Sequence, residues 1–161
     1  MSPRSPDHEE YRFLTATGAD VRARLSNDVD GQPELQIFGN RAGLLSLANV
    51  LLWLVANGWR REFLTLNELP FVHCEGTLSI CLRMMDHDAT GQDGLLSVLD
   101  QGDHLEWAIG EDDLRRVALT VHRLVSRPSH EYDRLSLAGS SVAQIHIRMT
   151  DAVEWLQKGH A

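Results

Sequence analysis

Eight histidines, two cysteines and 23 acidic residues are the side chains able to do chemistry, and their spacing limits what that chemistry can be. The local clusters are His73-Cys74, Asp86-His87-Asp88 and Asp103-His104. Zinc sites gather ligands at short, regular separations, and the chain has no Cys-x-x-Cys or His-x-x-x-His pair. His73 and Cys74 adjoin, and neighbours on an extended chain point to opposite faces, so they cannot serve as base and nucleophile. No serine lies in a strand–elbow–helix setting. Gly39-Asn40-Arg41-Ala42-Gly43 precedes a helical pattern and could cradle an anion at its amides. It is neither a dinucleotide fingerprint nor a P-loop, and turn geometry accounts for both glycines. The expectation is a protein without catalytic residues, cofactor or bound metal. The competing expectation is a metal-dependent enzyme using the His/Asp loop at 86–104.

Charge is distributed unevenly. The net charge is −8, and between Asp86 and Asp113 there are nine acids with no lysine or arginine, so that segment carries −9 and the rest of the chain +1. Concentrated charge steers encounter with a partner of opposite sign. Asp86, Asp88, Asp93, Asp100, Asp103 and Glu106 are therefore the candidate partner-binding residues, and the expected partner is a protein with a basic surface. The same argument of sign disfavours nucleic acid as a direct ligand. Asp112 and Asp113 have a local role in the first turn of a helix.

The elements that must position these residues are organised around Leu35 to Asn57. Leu35 and Ile37 alternate as in a strand, and Asn40 is placed to cap a helix. Apolar residues at 44, 47, 48, 51, 54 and 55 then follow helical spacing, with Val50, Leu52 and Trp53 extending the apolar surface. Ser46, Asn49 and Asn57 interrupt the run, which is too short for a membrane span of about 20 residues. The alternation at 61–66 and 77–85 predicts strands, as it does at 105–109, 132–137 and 142–149. Residues 10–16 and 19–25 read as an N-terminal hairpin, and 94–101 as a short helix. A helix is predicted over 111–126, and a last short one over 151–158. Cys74 and Cys81, seven residues apart on or beside one strand, would face opposite ways and remain free thiols.

The two halves resemble each other. At an offset of 70 residues, Leu35, Leu44, Ala48, Leu54 and Val55 coincide with Leu105, Leu114, Ala118, Leu124 and Val125. Ile80 to Met84 likewise resembles Ile145 to Met149. Each half, 35–85 and 105–149, reads β-α-β-β. Together they predict an α+β fold with an antiparallel sheet covered on one face by two main helices. A tail over 1–9 would precede a single domain at 10–161. No basic start followed by an apolar run marks an export signal, which together with free thiols points to the cytoplasm.

The pattern Leu35-x-Ile37-x-Gly39-Asn40-x-x-Gly43-Leu44-x-x-Leu47-Ala48-x-x-Leu51-x-x-Leu54 resembles small immunity proteins of bacterial polymorphic toxin systems. That resemblance implies a cytoplasmic, non-enzymatic α+β protein that binds and blocks a cognate toxin, often a nuclease. An acidic protein covering a basic cleft is what such a role requires physically. A homodimeric interaction module, with the first helix at its interface, is a further alternative.

Overall fold

The computed structural model describes residues 14–27, 30–57, 63–85, 93–99, 103–127, 132–137 and 144–150. In the first half, β1 (Val21–Asn27) and β2 (Pro33–Gly39) lead into helix α1 (Arg41–Asn57). Then come β3 (Phe63–Thr65), a 3-10 turn over Leu66–Glu68, β4 (Val72–Cys74) and β5 (Ser79–Met85). The second half has β6 (Leu95–Leu99), β7 (His104–Gly110), helix α2 (Glu111–Ser126), β8 (Tyr132–Leu135) and β9 (Gln144–Met149).

Helix α1 starts where its sequence provides a cap. The Asn40 side-chain oxygen accepts from the Gly43 amide at 2.7 Å and from the Asp20 amide at 3.1 Å, and its Nδ2 donates to the Gly18 carbonyl. One side chain thus closes the first turn and ties the entry of β1 to it. Apolar residues occupy most of the circumference of α1, and only Arg41 and Ala56 are exposed. Helix α2 is amphipathic: Leu114, Val117, Ala118, Val121, Leu124 and Val125 are buried. Glu111, Asp112 and Asp113 occupy its first turn, where carboxylates complement the helix dipole.

The strands form two sheets, a five-stranded one in the order β4-β1-β2-β9-β8 and a four-stranded one in the order β3-β5-β7-β6. The halves exchange strands. β9 of the second half lies parallel to β2 of the first, with Leu35 opposite Ile145; β5 of the first half lies parallel to β7 of the second, with Ile80 opposite Leu105. Leu35 and Leu105 are the residues that coincide in the repeat, as are Ile145 and Ile80. The repeat is therefore structural, and each half completes the sheet that the other begins. The inward side chains of both sheets and both helices share one core, which includes Leu35, Leu51, Leu82, Trp107, Leu114 and Ile147.

The α+β class and the two main helices agree with the sequence; the second half runs β-α-β-β as expected, whereas the first has an additional short strand, β4, which pairs with β1. The single antiparallel sheet does not agree, because two mixed sheets form and the central pairing in each is parallel. β1 makes its hairpin with β2 rather than with residues 10–16, of which only 14–16 are described and none is in a strand. Residues 95–99 form strand β6, not a helix; Leu96 packs inward opposite Trp107, and this pairing decides the conformation of a short apolar run. Cys74 and Cys81 belong to strands of different sheets and are free. The expected tail and the helix over 151–158 lie outside the described residues.

Candidate functional site: two outward sheet faces

The acidic segment is less acidic in space than in sequence. Six of its nine acids are described, and five of these lie within ion-pair distance of an arginine from outside the segment. Arg116 reaches Asp93 at 3.0 Å and Asp113 at 2.7 Å; Arg115 reaches Asp112 at 2.9 Å and Glu111 at 3.5 Å; Arg83 lies 3.7 Å from Glu106. Asp103 is exposed and its backbone carbonyl accepts from the Ser79 amide. Asp86, Asp88 and Asp100 lie outside the described residues, as does His87.

Asp93 is a junction. Its carboxylate accepts from Arg116 and from the Ser136 amide, its amide donates to the Ser136 carbonyl, and its own carbonyl accepts from the buried Trp107 indole at 3.0 Å. With a side chain only 16% exposed, it joins the start of β6 to α2 and to the end of β8. Asp93→Ala should accordingly cost about 1–2 kcal/mol, the net worth of hydrogen bonds to a charged group whose donors, Arg116 and the Ser136 amide, are partly reached by water. Urea denaturation measures this, and unchanged stability would return Asp93 to the class of surface charges.

The outward face of the four-stranded sheet is where Glu106 stands. Across its strands run the rows Thr65-Cys81-Glu106-Ser97 and Phe63-Arg83-Ala108-Leu95. Short side chains at Thr65, Cys81, Ser97 and Ala108 alternate here with the longer Arg83 and Glu106, and three large apolar ones remain open on it: Phe63 at 52%, Met85 at 39% and Leu99 at 42% exposure. Met85 ends β5 and Leu99 ends β6, at opposite ends of the sheet, so the acid-bearing connections 86–92 and 100–103 leave from both ends.

The outward face of the five-stranded sheet has a different chemistry. Its rows are His73-Arg22-Phe38-Arg148-Tyr132 and Arg24-Gln36-His146-Arg134, with Glu34 and Gln144 beside them. The Arg24 guanidinium lies 4.9 Å from the Phe38 ring centre and that of Arg134 lies 5.9 Å from the Tyr132 ring centre. Arg24 Nε donates to Gln36 Oε1 at 2.7 Å. Glu34, 8% exposed, accepts from Gln144 Nε2 at 3.3 Å and lies 3.6 Å from His146 Nδ1. This surface is barely visible along the chain, since its arginines are scattered at 22, 24, 134 and 148. Arg-x-Arg at 22 and 24, on alternate positions of a strand, was the one local signal.

His146 sits at the centre of that face, its ring edge-on to Tyr132 at 5.0 Å. Burial holds its pKa below the usual histidine value; Arg134 and Arg148 act in the same direction, and Glu34 opposes them. Because the folded pKa lies below the unfolded one, the unfolded chain binds more protons in the interval between them. Stability contributed by neutral His146 is thus present above about pH 6.5 and is lost as the pH falls through that value towards the folded pKa. His146→Gln should flatten this part of the stability–pH curve relative to the parent. Parallel curves for the two proteins would refute the assignment.

Burial also raises the Cys74 thiol to about 11, which leaves it protonated and unreactive at neutral pH. Among the described residues, no group of three or more His, Cys, Asp or Glu side chains is gathered as metal ligands would be. No described helix is long and apolar enough to cross a membrane. Compared with protein-family models, with curated proteins and with solved structures, the chain matches none.

Proposed function

We propose that the protein works by stoichiometric binding, as a cytoplasmic, non-enzymatic immunity protein that neutralises a cognate bacterial toxin with a basic surface. The observation that carries this reading is the outward face of the four-stranded sheet. Open apolar side chains at 63, 85 and 99 stand around short side chains and the Arg83–Glu106 pair, and acid-bearing connections leave its two ends. Protein interfaces combine apolar anchors with a polar rim that orients the partner. Asp103 supplies a described carboxylate for that rim, Glu106 lies among the anchors on the interior strand β7 beside Arg83, and Asp86, Asp88 and Asp100 add charge in the adjoining connections. Asp93 is left out of the rim because its carboxylate holds the fold together. The resemblance of residues 35–54 to immunity proteins supplies the class of partner.

The test is protection. A toxin encoded beside this protein's gene is expressed in cells with and without the chain, and growth and complex stoichiometry are measured. Protection with a 1:1 complex is expected. A combined Phe63→Ser, Met85→Ser and Leu99→Ser variant should keep stability within about 1 kcal/mol, as exposed substitutions do, and lose protection. Replacing Asp86, Asp88, Asp100 and Asp103 by asparagine should slow association and remove most of its dependence on salt, which screens charge over about 8 Å. Full protection by both variants would overturn the assignment of the face; a neighbouring gene product that is harmless or unbound would overturn the reading itself.

A further inference from the structure

The chain's −8 charge hides a surface of opposite sign. Outward positions of the five-stranded sheet carry Arg22, Arg24, Arg134 and Arg148; Glu34 beside them is buried and engaged by Gln144 and His146, and Asp20 at the edge lies 3.8 Å from Arg22 and 4.0 Å from His73. No ion pair joins Arg24, Arg134 or Arg148 to a carboxylate of the described residues. The net charge, which disfavours nucleic acid, counts the chain as a whole. Charges further apart than a Debye length of about 8 Å are largely screened, so a ligand at this face responds to these guanidinium groups.

Two aromatic rings lie among the arginines. Phe38 and Tyr132 flank Arg148 in one row, and strands are spaced by about 4.8 Å, which puts the two side-chain positions roughly 10 Å apart across it. Tyr132 is 53% exposed. Cations alternating with rings on a flat surface are the combination that single strands require, phosphate on guanidinium and base on ring. A duplex keeps its bases stacked inside, and a flat sheet offers no helix or ribbon to enter a groove. An acidic protein would use the cations but would have no particular need of the rings.

We propose that the outward face of the five-stranded sheet binds single-stranded nucleic acid, with phosphates on Arg24, Arg134 and Arg148 and bases on Phe38 and Tyr132. The site is independent of the toxin-binding reading, because it lies on the other sheet.

Fluorescence anisotropy of the full chain with a labelled single-stranded oligonucleotide of mixed sequence tests this, as RNA and as DNA. Three phosphate contacts predict affinity falling roughly 20-fold between 50 and 200 mM salt. Arg24→Gln with Arg148→Gln should remove about two-thirds of that salt dependence, while Tyr132→Ala should weaken binding roughly 5-fold or more. Thermal melts of each variant confirm folding, and exposed Tyr132 keeps the test valid if the double variant unfolds. Phe63→Ser with Leu99→Ser should leave oligonucleotide binding unchanged, whatever it does to protection from a toxin. The proposal is overturned by an absence of binding at 50 mM salt. It is equally overturned if a polyglutamate peptide or the duplex binds as tightly as the single strand, with Tyr132→Ala without effect.

Discussion

Leu51→Ala is expected to lower the free energy of unfolding by about 2–5 kcal/mol, through the lost transfer of its side chain from water and the cavity left behind. Leu51 is 1% exposed at the middle of α1, in the same core as Leu47, Ala48 and Leu54 at 4%, 0% and 1%. Because α1 is covered on most of its circumference, the surroundings have little freedom to collapse into the gap, which favours the upper part of the range. Chemical denaturation measures the change. A cost under about 1 kcal/mol would mean that Leu51 faces the surface in solution, since surface substitutions seldom exceed that.

Gly43→Ala should destabilise by about 3 kcal/mol, and its sign is the decisive observation. At an ordinary helix position, replacing glycine by alanine stabilises by about 1 kcal/mol, since alanine is the better helix former. Here a β-carbon would meet the backbone of Asp20, overlapping its carbonyl oxygen and lying 2.8 Å from its nitrogen. Backbone cannot swing aside as a flexible side chain can, so the helix or the entry to β1 must move, and overpacking of this kind costs about 1–3 kcal/mol or more. Thermal and chemical denaturation of the variant read the effect directly. Stabilisation would show that α1 and the start of β1 are not in contact. The same geometry corrects the sequence-based account of Gly43: the residue sits inside the helix and permits close approach, and no turn requires it.

Local chemistry determined several features by itself. Helical spacing from Leu44 onwards, the Asn40 cap and the acid-led first turn of α2 are short-range effects, and both helices could be read from them. The repeat was legible too, because Leu35 with Leu105, and Ile80 with Ile145, must satisfy the same packing environment twice. Strand pairing was not legible, since alternation tells which residues face inward and says nothing about which strand lies alongside. Only the tertiary structure decided that β9 joins β2 and that β5 joins β7, turning one expected sheet into two. It also decided where charge matters. A run without lysine or arginine looks unbalanced along the chain; three of its acids meet Arg115 and Arg116 one helical turn away, a local effect, and the fold alone brings Arg116 to Asp93 and Arg83 to Glu106. Meanwhile Arg22, Arg24, Arg134 and Arg148, up to 126 residues apart in sequence, come to share one face because their strands are neighbours in one sheet. Electrostatic interaction depends on distance through space, which sequence separation does not measure.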